Sequence, residues 1–334
     1  MSQPLVQTPF RDPRVLISTI VAALQRQVSD GLHRRGLVIG MSGGVDSSVC
    51  AALAVRALGP GRVFGLFLPE RDSEPMSLEL ASAWAAELGI EATAEDIAPI
   101  LEAAGCYSRR DEAIRRVLPE YGEGWRCKLA LPGAGSGSAM LNVTQLVVQP
   151  PAGPQQRLRL PAAEYRQIVA ATNFKQRVRK MLEYFHADRL HYGVVGTPNR
   201  LEYDQGFFVK GGDGLADVKP IAHLYKTEVY ALAAELGVPR AVTARPSTTD
   251  TYSLPQSQEE FYFSAPPAVL DLVLRSYNAG QSAAQAATEA GLEPAQVERL
   301  YQDIGQKRRT TRYLHLAPLL VEEVPLLVPG EAAG

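Results

Sequence analysis

Seven residues carry the most specific chemistry in the sequence: Ser42-Gly43-Gly44-Val45-Asp46-Ser47-Ser48. The apolar run Leu37 to Met41 precedes them and Ser47 to Leu58 reads as a helix, so they form the turn between a buried strand and a helix. Adjacent glycines let the backbone turn tightly and approach a ligand with no Cβ in the way. The N–H groups of the turn and of the helix start then converge on one point, where hydrogen bonding and the helix dipole favour an anion. Ser42, Ser47 and Ser48 add hydroxyls, and Gly43, Gly44 and Val45 add backbone amides. Asp46 repels a phosphate unless a cation stands between them, which implies a divalent metal, and magnesium is the usual partner of phosphates. No GK[ST] follows, so γ-phosphate chemistry of the Walker A kind is not indicated. A plainer account stays open, in which Asp46 favours the first helical turn and Ser47 caps it.

Four further segments hold polar residues at suggestive spacing. In the stretch from Thr172 to Arg179, Asn173 and Arg177 share one helix face, and Lys175 and Arg179 share another; a basic solvated face is the alternative. Gly196 to Glu202 follows the apolar run LHYGVV, and ligands of doubly wound folds sit beyond the carboxyl ends of strands. Glu202 therefore lies near Asp46 if the first and fourth parallel strands are neighbours, giving two carboxylates for one metal–nucleotide complex; a surface loop with a capping glutamate is the alternative. Gly206 to Pro220, GFFVKGGDGLADVKP, sets Lys210, Asp213 and Asp217 among glycines and reads as a structured binding loop. Lys226 stands in the first turn of a helix opening at Tyr225, against the dipole, which a nearby phosphate would explain.

The elements that must position these residues follow from apolar periodicity. Val15 to Leu32 reads as a leading amphipathic helix within residues 1–36. Strands at Leu37–Met41, Arg62–Leu68 and Ile90–Ile97 alternate with helices at Ser47–Leu58 and Ser77–Leu88. That alternation predicts an α/β fold, a doubly wound, mostly parallel sheet covered on both faces. Residues 105–161 read as a loop, with GAGSGS at 133–138, followed by a β-hairpin-like insertion around PPAGPQQ. Tyr165–His186 is a long helix, Leu190–Val195 a strand and Tyr225–Leu236 a helix. Residues 266–312 form a helical tail, whose 282–300 stretch reads as two packing helices with Gly291 as a C-cap. The whole chain, 1–334, is read as a single domain.

The seven-residue turn resembles the pyrophosphate loop of the N-type ATP pyrophosphatases, within the adenine nucleotide alpha hydrolase-like superfamily. Together with NFKQRVR, GTPNRLE, GFFVKGGDGLAD, LYKTEVYALAAELGVP, PSTTDTYSLPQSQEE and QKRR, in that order, the chain resembles the ammonia-dependent NAD synthetase family over 37–101 and 167–312. The resemblance implies amidation of deamido-NAD with ammonia, ATP being cleaved to AMP and pyrophosphate. It implies magnesium on Asp46 and Glu202, ATP phosphates at Ser42, Gly44, Ser47, Thr197, Lys226 and Ser247 or Thr248, and deamido-NAD at Asn173, Arg177, Lys210, Asp213, Asp217 and Lys307. Asp46, Glu202 and Lys226 would be catalytic, and family members are usually homodimers. The sequence departs from the family at Gln306, where histidine often precedes KRR, at Phe67, where a basic residue is frequent, and in the length of 105–161. Rival readings are an amide ligase of the same superfamily with another carboxylate substrate, a tRNA-modifying ATP pyrophosphatase, and a nucleotide sensor with a DNA-binding tail.

Bulk properties weigh on these rivals. Net charge is −2, without the basic surplus of a nucleic-acid binder. Cys50, Cys106 and Cys127 form no CxxC pair, so neither a disulfide framework nor a zinc ribbon is expected. Cys50 reads as a core residue. No membrane span and no secretory signal is expected, and a cytoplasmic location follows.

Overall fold

A computed structural model describes residues 11–131, 144–246, 248, 251–263, 265–322 and 324. Ser247 and the GAGSGS stretch lie outside the described residues. Helix α1 (Pro13–Arg26) starts where Asp12 Oδ1 accepts the Arg14 amide at 2.9 Å, and buries Leu16, Ile17, Ile20 and Leu24 at helical spacing. A π-helical turn at Gln27–Gly31 ends it. Then β1 (Leu37–Gly40), α2 (Val45–Leu58), β2 (Val63–Phe67), α3 (Pro75–Leu88) and β3 (Glu91–Ala94) alternate as expected. β1 and β2 are continuous apolar runs because helices cover both faces of their sheet.

Helices α4 (Ala98–Ala103) and α5 (Cys106–Arg115) lead into a second, antiparallel sheet of β4 (Arg126–Ala130), β5 (Gln145–Gln149) and β6 (Gln156–Arg159). The 29-residue α6 (Ala162–Leu190) returns the chain to the main sheet at β7 (Gly193–Val194). Next come α7 (Arg200–Gln205), α8 (Lys226–Glu235) and α9 (Arg240–Thr243), then the tail helices α10 (Pro267–Asn278), α11 (Ala283–Ala290) and α12 (Pro294–Thr311).

The main sheet is parallel with order β3-β2-β1-β7, Leu37 of β1 lying opposite Val63 on one side and Gly193 on the other. Successive strands run outward from β1 to β3, and the chain then crosses back to β7 on β1's other edge. This is the topological switch point where doubly wound sheets bind ligands. One face packs α1, α2, α3 and α8 into a cluster holding Leu24, Ile39, Leu53, Trp84 and Leu232. The other packs α4 and α6 through Phe64, Leu66, Leu101, Val178 and Ala187. No helix among the described residues is long and apolar enough to cross a membrane.

Two elements differ from expectation. The 105–161 stretch begins not with a loop but with α5, and its hairpin is part of a three-stranded meander. Helix α5 escapes an apolar-period reading because its buried face includes Arg110, held by Asp72 at 2.9 Å and Asp111 at 2.8 Å. β3 stops at Ala94 rather than Ile97, because Asp96 Oδ1 takes the Ala98 amide at 2.8 Å and Pro99 opens α4. In the tail, Ser282 caps α11 and Gly291 ends it at φ +65°, and α11 and α12 bury Ala286, Ala287, Ala290 and Val297 against α10. These are packing helices, as read.

Asp271 of α10 supplies a cap from a distant element: its carboxylate accepts the amides of Lys226 at 3.2 Å and Thr227 at 2.7 Å, the first turn of α8. Asp271→Ala strands both amides in a buried place, and the expected loss is about 1–3 kcal/mol of stability, read as a lowered midpoint in thermal unfolding.

Candidate active site

A cleft of about 640 Å³ opens at the carboxyl ends of β1, β2 and β7, a size suited to small-molecule ligands. Its floor is the glycine turn. Gly43 has φ +73°, and a Cβ there would lie 2.4 Å from the Ser77 carbonyl oxygen, so only glycine fits. Ser42 Oγ lies 3.2 Å from Ser47 Oγ and 3.4 Å from the Gly44 amide, and Ser47 Oγ donates to the Gly44 carbonyl at 3.1 Å. Ser42, Gly43, Gly44, Val45, Asp46 and Ser47 line the cleft. Ser48 does not: it is 1% exposed and donates to the Gly44 carbonyl at 2.9 Å, a helix-start bond rather than a ligand contact.

Asp46 and Glu202 come together as the strand order requires, and Asn199 links them. Asn199 Nδ2 donates to Asp46 Oδ1 at 3.2 Å, and the Asn199 amide donates to Glu202 Oε2 at 3.1 Å. The second bond is half of a capping box that starts α7, closed by Asn199 Oδ1 on the Leu201 and Glu202 amides at 3.0 and 3.3 Å. Gln258 Nε2 donates to Glu202 Oε1 at 2.8 Å. Burial, and then the neighbouring Asp46 charge, push the Glu202 carboxyl up to about 7.

Lys226 differs from its expected place on the phosphates. It is 2% exposed, lies off the cleft wall, and its Nζ is bonded to Asp46 Oδ2. Burial works against the ammonium, but the Asp46 and Glu202 charges and the bond to Asp46 outweigh it and hold its pKa above the ordinary lysine value. The anionic partner inferred for this first-turn lysine is therefore Asp46, with Asp271 opposing the helix dipole.

Whether these residues fit a magnesium ion turns on the charge left over. Lys226 neutralises one carboxylate, and the other is strained toward protonation inside the protein. Among the described residues no cluster of three or more acidic, histidine or cysteine ligands exists. Two carboxylates without a full protein cage suit magnesium on a nucleotide, where phosphates and water complete the shell. The donor set fits.

The remaining expected residues divide. Thr197 and Thr248 line the cleft, as do Asn173, Arg177, Lys210, Asp213 and Lys307. Asn173 and Arg177 share the cleft-facing side of α6, and Arg177 Nε reaches the Lys210 carbonyl at 3.3 Å. Lys175, on another side, belongs to no solvated face: it is 1% exposed and bonds Glu70 and Asp72, each at 2.8 Å, and the Thr251 carbonyl at 2.7 Å. Lys307 Nζ donates to Asp303 at 2.6 Å and to the Tyr262 carbonyl at 2.7 Å, and burial lowers its pKa. Asp213 Oδ1 accepts the Val209 amide at 2.7 Å, and burial raises its carboxyl.

Asp217 is a correction. It lies off the cleft, with Oδ2 on the Val194 amide at 2.7 Å and Oδ1 on the Tyr184 hydroxyl at 3.2 Å, so it anchors the short β7. Cys50 is fully buried with a raised pKa, as a core residue is. Cys106 and Cys127 are buried and free, on different elements, and form no working pair. Residues the sequence reading missed are Asn199, Gln258, Asp271, Arg245 and the buried Lys180–Glu183 pair, whose atoms lie 2.5 Å apart on the cleft wall. Only Asn199 left a signal, the N-x-x-E spacing of a capping box.

Comparison with known proteins shows the family of the chain. The family model described as NAD synthase matches residues 16–116 and 148–312. The NH(3)-dependent NAD(+) synthetase of Rhizobium meliloti (strain 1021) is 58% identical over 305 residues, 91% of each chain. Among solved structures, the NMN synthetase of Francisella tularensis superposes with TM-score 0.64 at 21% identity, covering 93% of this chain and 98% of that one. The NH3-dependent NAD synthetase of Campylobacter jejuni superposes with TM-score 0.61 at 21% identity, covering 93% and 100%. At that identity the two structures establish the fold alone.

If Glu202 holds a cation, that cation must displace the proton Glu202 takes up as pH falls through about 7. Divalent-cation affinity, measured by calorimetry with a nucleotide present, is expected to drop roughly tenfold per pH unit below that point. Glu202→Gln should flatten the dependence.

Proposed function

The chain belongs to the NAD synthase family, and on that premise we infer that it amidates deamido-NAD with ammonia at the expense of ATP, releasing AMP and pyrophosphate. It is a ligase that forms a C–N bond. The observation that carries the reading is the Asp46–Asn199–Glu202 linkage, set beside a glycine turn in a cleft that also holds the cationic Arg177, Lys210 and Lys307.

The substrate carboxylate attacks the α-phosphorus of ATP, the bond to the bridging oxygen breaks, and pyrophosphate leaves. Ammonia then attacks the acyl carbon, the C–O bond to AMP breaks, and the nitrogen gives up a proton. Gly43, Gly44, Val45 and the hydroxyls of Ser42, Ser47, Thr197 and Thr248 bind the phosphates, with Ser247 an open alternative to Thr248. Asn173, Arg177, Lys210, Asp213 and Lys307 hold deamido-NAD. Asp46 and Glu202 would hold magnesium, which offsets the charge gathering on the leaving pyrophosphate. Lys226 holds the Asp46 carboxylate in place through their ion pair, and so acts through it.

We also read the chain as a homodimer, supported by Met181 and Phe185, which are 54% and 57% exposed one turn apart on α6. Three free, buried cysteines support a reducing cytoplasm.

Purified protein incubated with ATP, magnesium, ammonium and deamido-NAD should yield NAD, AMP and pyrophosphate. AMP formation only with some other acid moves the substrate assignment. Glu202→Ala should lower kcat by about 10²–10³-fold with the fold retained. Asp46→Ala strands the Lys226 ammonium, so Asp46→Asn is the cleaner variant, with a comparable loss expected.

A further inference from the structure

The cleft and the second sheet meet at residues 251–263. Thr251, Tyr252, Gln258 and Tyr262 of this run line the cleft, and Gln258 is the side chain that holds Glu202 Oε1. The run is irregular, ending in a π-helical turn at Glu259–Phe263, and its isolated bridge between Ser257 and Thr248 does not extend into a ladder among the described residues.

The edge of β4 not paired with β5 fixes it instead. The Leu254 amide donates to the Cys127 carbonyl at 3.2 Å, and the Leu131 amide to the Glu260 carbonyl at 2.9 Å. Ser253 Oγ accepts the Cys127 amide at 2.9 Å, and Gln256 Nε2 donates to the Leu129 carbonyl. Lys128 closes the contact from both ends of the turn: its Nζ donates to the Pro255 carbonyl at 2.9 Å and to Glu260 Oε2 at 2.8 Å. The run also grips both faces of the sheet, since Tyr252 packs with Cys127 and Leu129, and Leu254 with Ala130 and Val147. Residues 117–147, which include β4, are the stretch that the NAD synthase family model passes over.

We propose that β4 splints the cleft-lining run, and that Lys128 is a positioning residue that sets Gln258 and, through it, Glu202. Lys128 is 8% exposed and absent from the cleft wall, so it cannot act on substrate directly. Gln258 sits between the two groups that Lys128 holds, Pro255 and Glu260. A displaced Gln258 leaves Glu202 with one hydrogen-bond donor fewer and a carboxylate free to turn within the cleft. The proposal rests on the function inferred above, and its test includes a readout that needs no substrate.

Hydrogen exchange of the intact chain is followed first, without ligands. Lys128→Met should speed exchange across residues 251–262 while α2 and α6 keep wild-type protection; unchanged exchange in 251–262 overturns the splint whatever the reaction proves to be. In the amidation assay, Lys128→Met should lower kcat about tenfold, the size of one lost charge-assisted hydrogen bond, with KM for ATP little changed. Combined with Gln258→Ala it should be no worse than the poorer single variant, because both act through one contact. Losses that multiply, or wild-type turnover in Lys128→Met, refute the role of Lys128. If Lys128→Met does not fold, Glu260→Gln, which keeps an acceptor and removes the charge, takes its place in the same cycle with a smaller loss in the same direction. Lys128→Arg should recover most of the activity.

Discussion

Asp46, Glu202 and Lys226 place two carboxylates and an ammonium at the ends of β1 and β7, with Lys226 and Glu202 buried and Asp46 partly exposed at the cleft. Each buried charge costs several kcal/mol unless it is paired and hydrogen-bonded. The surrounding residues are arranged as answers to that cost. Lys226 pairs with Asp46, and Asn199 gives its amide group to one acid and its backbone N–H to the other. Gln258 takes a remaining oxygen of Glu202, and Asp271 caps the helix on which Lys226 sits. Lys226 answers one of the two carboxylates, and the other, Glu202, is pushed by burial toward its neutral form.

The geometry depends on adjacency in the sheet. A residue beyond β7 reaches one beyond β1 only because those strands pair in register, Leu37 opposite Gly193. The β7 strand is two residues long, too short to hold that register unaided. Asp217 adds to the ladder bonds that hold it by taking the Val194 amide, so an acidic residue that looked suited to substrate is engaged in the scaffold.

Much of this was readable from residue order. Apolar periodicity located the parallel strands and the helices between them, and the SGGVDSS turn located the floor of the cleft. The pairing of positions 46 and 202 followed from strand adjacency alone. Partners drawn from distant elements were not readable. Gln258 and Asp271 meet their targets across 56 and 45 residues, with no periodicity to mark them. Helix α5 hid because a buried arginine interrupts its apolar stripe, and Lys175 looked solvated because its acidic partners lie more than 100 residues away. Patterning reports which side of an element is buried, and it is silent on which charge from elsewhere will be found there.

The span of these contacts along the chain bears on how the protein is made. Asp46 waits for Asn199 and Lys226, 153 and 180 positions downstream, and Lys128 waits for Glu260, 132 positions on. Closing loops of that length adds only modest entropy beyond shorter ones, but it cannot begin until the later residues exist. A nascent polypeptide halted in its first half owns the glycine turn yet lacks the amine of Lys226 and the amide of Asn199 that meet its aspartate. Competence to grip nucleotide is thus a property acquired late in synthesis, and it marks a polypeptide whose distant segments have already found one another.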